Sequence, residues 1–116
     1  GELVDYASHE FWLDIPDDNG VTLRSHYEQV ERQTGHTPPE AIGPEFPALL
    51  AHLWEIFSEL HTDRTPGAMG PGPISYSSIE SWSRMSGRRL YIWEVEAIKR
   101  LDAAWMKAQA NRKRNG

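Results

Sequence analysis

PGPISYSSIESWSRMSGRRLYIWEVEAIKRLDAAW, from Pro71 to Trp105, is the stretch whose reading decides the fold. Ser77 followed by Glu80 is a capping box, in which each side chain satisfies a free N–H of the first helical turn. It predicts a short helix whose Ile79, Trp82 and Met85 face inward and which closes at Gly87. After RRLY, a last helix begins near Ile92 and carries Val95, Ile98, Leu101 and Trp105 at 3–4 spacing. Three of the five tryptophans (Trp82, Trp93, Trp105) fall here, and no group in the stretch has the character of catalytic machinery. Two adjoining amphipathic helices rich in tryptophan point to a small helical module that binds other proteins.

Working upstream, Thr62 to Pro73 holds three prolines and three glycines in twelve residues and is predicted to be irregular. Long loops in small domains are often binding elements. Before it, Phe46, Leu49, Leu50, Leu53, Ile56, Phe57 and Leu60 keep the spacing of a wide apolar helix face, with Pro47 in the first turn and an end near His61. The segment His36 to Pro44 contains three prolines and Gly43, so no helix continues through it. Thr22 is placed to cap a helix through LRSHYEQVERQT, with Gly35 as its stop. Residues 1–15 mix acidic and apolar groups without a capped helix of convincing length, and Pro16–Gly20 is turn chemistry. The expectation is an all-α fold: a bundle of about four helices (21–116), a long Gly/Pro loop, and an N-terminal arm and hinge (1–20). The core is expected from Leu49, Leu53, Ile56, Phe57, Leu60, Ile79, Trp82, Val95, Ile98 and Leu101.

The net charge of −5 argues against a nucleic-acid grip, the basic run Lys107 to Arg114 being read as a solvated helix end. Absence of cysteine excludes disulfides, zinc–thiolate sites and a thiol nucleophile. No apolar run approaches the ~20 residues of a membrane span, and acidic residues interrupt any leader pattern at the start. A start at Gly1 is expected of a tagged or processed chain, or of a piece of a longer one. The two helices about Gly87 resemble a helix-turn-helix, but Glu94 and Glu96 in the second would be repelled by phosphates. His52, Glu55 and Glu59 share one helix face, a spacing that can serve a metal, yet a solvated face explains it more simply. Asp17 and Asp18 lack the calcium-loop pattern, Gly67, Gly70 and Gly72 fit no phosphate-binding fingerprint, and no serine sits in a nucleophile elbow. Neither cofactor nor catalysis is expected.

Three strings carry a family resemblance: PEFPALLAHLWEIFSEL, then GPGPISYSSIESWSRMSG, then LYIWEVEAIKRLDAAWM. They resemble a family of small proteins of long-tailed bacteriophages, the tail assembly chaperones, over about residues 23–106, with residues 1–20 outside the match. The resemblance implies a chaperone that exists in a short and a frameshifted long form. The first part coats the tape-measure protein, the appended part recruits tube subunits, and neither remains in the virion. This chain is similar to the appended, C-terminal part. Its implied partners are tail tube and/or tape-measure protein in the host bacterial cytoplasm, with self-association through the arm as a further expectation and neither nucleic acid nor membrane as a partner. The rivals are a small acidic phage inhibitor of a host or defence protein, and a structural head–tail or tail component. The expected binding residues are Met69, Pro71, Pro73 and Tyr76 about the Gly/Pro loop, with Trp93 on the last helix.

Overall fold

Side-chain caps and left-handed glycines set the boundaries of two helices. Thr22 keeps an extended backbone and its hydroxyl accepts from the Ser25 N–H, opening α2 (Leu23–Thr34). Gly35, at φ 76°, closes α2 in the left-handed conformation that only glycine adopts freely. Ser75 is likewise extended, and its Oγ accepts from the Ser78 N–H at 3.0 Å to open α4 (Tyr76–Ser86). The cap is therefore Ser75 rather than Ser77, which already lies inside the helix. Gly87, at φ 73°, ends α4 as expected. Tyr91 leads into α5 (Ile92–Asn115), and Glu94 reaches back to accept from the Tyr91 N–H at 2.9 Å.

The computed structural model describes the backbone of residues 1–68 and 70–115 and, of these, side chains as far as residue 111. The described residues add α1 (Glu2–Leu13), α3 (Ala51–Thr62), single 3-10 turns at Pro39–Ala41 and Ala48–Leu50, and a ribbon of β1 (Pro66–Gly67) with β2 (Gly70–Pro71). The all-α expectation holds, but with five helices in place of about four. The chain divides into two compact units, residues 1–47 with 104–116, and residues 48–103.

In the first unit, the added helix is α1, where the sequence offers no side-chain N-cap. Short helices without caps are marginal alone and persist through tertiary contacts. Here Arg24 of α2 donates to Asp14 Oδ1 at 2.7 Å and pairs with Glu10. Those two carboxylates raise the guanidinium pKa above its ordinary value, the bond to Asp14 contributing most. Tyr6 meets Phe46 edge-on with centroids 5.0 Å apart, and His9 Nε2 donates to the Glu40 carbonyl at 3.0 Å. The turn after α1 is fastened by Asp17, whose Oδ1 accepts from the N–H groups of Asn19 and Val21.

In the second unit, α3, α4 and the first half of α5 contribute the buried side chains Leu53, Ile56, Phe57, Leu60, Ile79, Ile98 and Leu101, joined by Ile74 from the loop. Trp82 and Val95 are half-buried. Two expected inward residues are not inward. Leu49 is 94% exposed because it belongs to the 3-10 turn before α3, where the helical phase that predicts its face has not begun. Met85 is 87% exposed, one turn beyond Trp82 at the end of α4.

Truncating Leu53 or Ile98 to Ala is expected to cost about 2–5 kcal/mol, the range for buried aliphatic side chains. Leu49→Ala is expected to stay within about 0.5 kcal/mol. Urea unfolding of the three variants checks both statements, and a large loss at Leu49 would place that side chain in a core after all.

Candidate protein-docking surface

Backbone groups in a loop rich in proline and glycine need partners from outside the loop, because the loop cannot form a regular ladder of its own. Between α3 and α4 the ladder is two residues long, with Pro66 opposite Pro71 and Gly67 opposite Gly70. A segment expected to be irregular thus contains a minimal antiparallel ribbon. Gly67 is obligatory in it, since a Cβ there would lie 2.9 Å from the Gly70 carbonyl oxygen. Beyond the ribbon, the Gly72 N–H donates to the Thr65 carbonyl at 2.8 Å.

The remaining partners come from a buried cluster. Arg64, at the loop entrance, pairs with Asp102 of α5 at 2.6 Å, with side-chain exposures of 6% and 4%. Arg64 Nη1 donates to the Gly72 carbonyl at 3.1 Å, and its Nε donates to His61 Nδ1 at 2.7 Å. The second carboxylate oxygen of Asp102 accepts from the Ile74 N–H at 2.9 Å. One turn earlier on α5, Lys99 Nζ donates to the Ile74 carbonyl at 2.6 Å. Both backbone groups of Ile74 are therefore held from α5, and Ile74 itself is driven into the core. His61, stacked on Phe57, has its pKa lowered, first by burial and then by the Arg64 charge, against a smaller opposing effect of Asp102. A neutral ring is also what accepting at Nδ1 requires.

With its polar groups turned inward, the loop presents Pro71, Pro73 and Tyr76 outward, Tyr76 being 67% exposed. Lys99 Nζ lies 4.6 Å from the Tyr76 ring centroid, a cation–π contact that restrains an exposed side chain. Met69 lies outside the described residues. Trp93, 53% exposed, is not brought to this group. It stands on the first turn of α5, six residues before Lys99 and so about 9 Å away along the axis, with its ring edge-on to His52 at 6.2 Å. His52 also donates from Nε2 to the buried Glu94 carboxylate at 2.9 Å. The face of α3 read as solvated is thus partly engaged: His52 by Glu94, and Glu59 by the Trp82 Nε1–H at 2.5 Å. Among the described residues, no group of three or more His, Cys, Asp or Glu is placed to hold a metal ion, and no helix is long and apolar enough to cross a membrane. Sequence reasoning missed the exposed Leu49, Tyr91 and Ile92. It also missed the Arg64–Asp102 pair, whose signal was Asp102 standing four residues after Ile98 on the apolar face of α5.

A comparison with protein families finds that the model of a family described as phage tail assembly chaperone matches residues 30–107. No curated protein and no solved structure matches the chain.

Asp102→Ala is expected to destabilise the fold by about 3–5 kcal/mol, because it strands a buried guanidinium. Urea unfolding checks this; a loss below about 1 kcal/mol would mean that Arg64 reaches water once its partner is gone. The clamp also carries a pH dependence. An unfolded His61 takes up its proton near pH 6.5, whereas the folded His61 does so at lower pH. The unfolded state therefore binds the proton first. This contribution to stability is whole above about pH 6.5 and is lost as pH falls through the folded value. His61→Gln is expected to flatten the dependence of the urea midpoint between pH 7.5 and 5; an unchanged slope would show that other groups produce it.

Proposed function

The chain belongs to the phage tail assembly chaperone family, and on that premise we propose that it is a non-enzymatic assembly factor that binds tail tube and/or tape-measure protein in the host bacterial cytoplasm. The observation that carries this reading is the Gly/Pro loop with Tyr76 behind it: exposed apolar groups, fixed from beneath by a buried ion pair. A chaperone of assembly has to cover apolar surface on a partner and later leave it, which calls for an interface of moderate size and no covalent step. Proline is already restrained, and a tyrosine brings contact area with little rotamer entropy to lose. The clamp from Arg64, Asp102 and Lys99 lowers the ordering cost of binding further, since the loop's conformation is set before the partner arrives. Trp93, exposed on the first turn of α5, belongs to the same proposal as a secondary contact.

The test is capture of purified tail tube and tape-measure proteins of the same phage by wild-type chain and by the Met69→Ala/Tyr76→Ala double variant. The expected result is a variant folded to near-normal stability whose affinity falls by about tenfold or more, as for removal of a central aromatic contact. Unchanged affinity with a large fall in stability would make Tyr76 a staple for α4 and move the binding surface to Trp93 and α5.

A further inference from the structure

Between α3 and α4 runs an open groove with Leu60, Trp82 and Met85 in its apolar lining. Its charged lining is two carboxylates, Glu59 and Asp63, and its other polar lining is the hydroxyls of α4. No cation lines it. Two features make the charge count more than a coincidence of surface composition. Asp63 is the C-cap of α3, where the helix dipole already carries its negative end, so a carboxylate there is placed against local electrostatics. Of the basic groups adjoining Asp63 in sequence, Arg64 is paired with Asp102 inside the fold and His61 accepts from Arg64, which leaves Arg88, over the Trp82 ring, as the basic group beside the groove. The second feature is Trp82, whose indole N–H fixes Glu59 beside its ring. The Arg88 guanidinium, not itself part of the lining, sits over one face of that ring, 5.4 Å from the centroid. A cation is thus the kind of group this surface stacks.

We propose that the α3–α4 groove is a second docking site, taking an amphipathic segment of the tail-protein partner that presents a Lys or Arg beside apolar side chains. The cation lies against Trp82 between Glu59 and Asp63, where ring quadrupole, carboxylates and helix end act together. The apolar residues cover Met85, an adaptable side chain that is otherwise left in water at the rim. The partner is a tail protein because this inference rests on the function proposed above; the chemistry of the groove stands on the lining alone.

Two measurements test it, and they separate its failure from that of the chaperone reading. In the first, the isotopically labelled chain is titrated with a Lys/Leu amphipathic helical peptide of about 15 residues and with its Glu/Leu counterpart. Amide shifts at 59–63 and 77–86 with the cationic peptide alone are expected. They should be lost in Glu59→Gln/Asp63→Asn and kept in Glu28→Gln/Glu31→Gln, which removes equal charge from α2. Equal response to both peptides, or equal loss in both variants, would reduce the effect to general electrostatics and overturn the site. In the second, the groove variant is expected to bind purified tail tube or tape-measure protein about tenfold more weakly, with less dependence on salt than wild type. Its urea midpoint should be unchanged or higher, since Asp63→Asn relieves the helix end. Wild-type affinity in the groove variant would overturn the groove as the tail-protein site, whereas no binding by wild-type chain would overturn the chaperone reading and leave the peptide titration to decide the groove.

Discussion

One buried ion pair organises the second unit. Arg64 and Asp102 are joined at 2.6 Å with almost no exposure. Two charges taken from water cost several kcal/mol each after relaxation, and their attraction offsets this only when the remaining hydrogen-bonding capacity is also used. Here it is used by the loop and by His61 of α3. The Gly72 carbonyl, the Ile74 N–H and His61 Nδ1 complete the pair. The pair in turn supplies partners that a Pro/Gly segment cannot supply for itself. Neither half stands alone: without the loop the charges are under-bonded, and without the charges the loop's backbone is.

For the binding loop proposed above, this arrangement separates two jobs. Polar backbone faces inward, where α5 fixes it at Lys99 and Asp102, one turn apart. Apolar rings face outward at Pro71, Pro73 and Tyr76. A loop held only by its own turn residues would have to lose conformational freedom on meeting a partner, at roughly 1–2 kcal/mol per residue ordered. Here that cost falls on folding, where core burial of Ile74, Ile79 and Leu101 offsets it.

Much of the fold was legible because periodicity and capping are local. The bounds of α2 follow from Thr22 and Gly35, the end of α4 from Gly87, and the start of α5 from Ile92. The failures share a cause. Leu49 sits at helical spacing from Leu53, but a 3-10 turn breaks the phase between them. The α1 helix lacks a cap, and its hold comes from Arg24, Phe46 and Glu40, residues distant in sequence. The capping box of Ser77 with Glu80 does not form: the cap is Ser75, whose third helical position is Ser78 rather than a glutamate, because the sequence YSS after Ser75 offers several hydroxyls and only backbone conformation chooses among them. For the candidate surface, composition located the loop, while its clamp depended on a contact between positions 64 and 102 that no local rule reports.

The family match spans residues 30–107 and so covers both halves of the clamp. Three departures from local rules within that span bear on the two surfaces proposed above. An aspartate is buried on the apolar face of α5, another caps the negative end of α3, and a methionine at the end of α4 is left in water. The first of these is explained inside the chain by Arg64 and Ile74. The other two both line the same groove. Sequences that agree with their fold at most positions tend to depart from it where something other than folding sets the residue. An internal departure resolved by a buried partner is architecture, whereas two exposed departures that line one groove support the docking site proposed there. By that distinction Asp102 belongs to the scaffold, and Asp63 and Met85 to the docking groove proposed above.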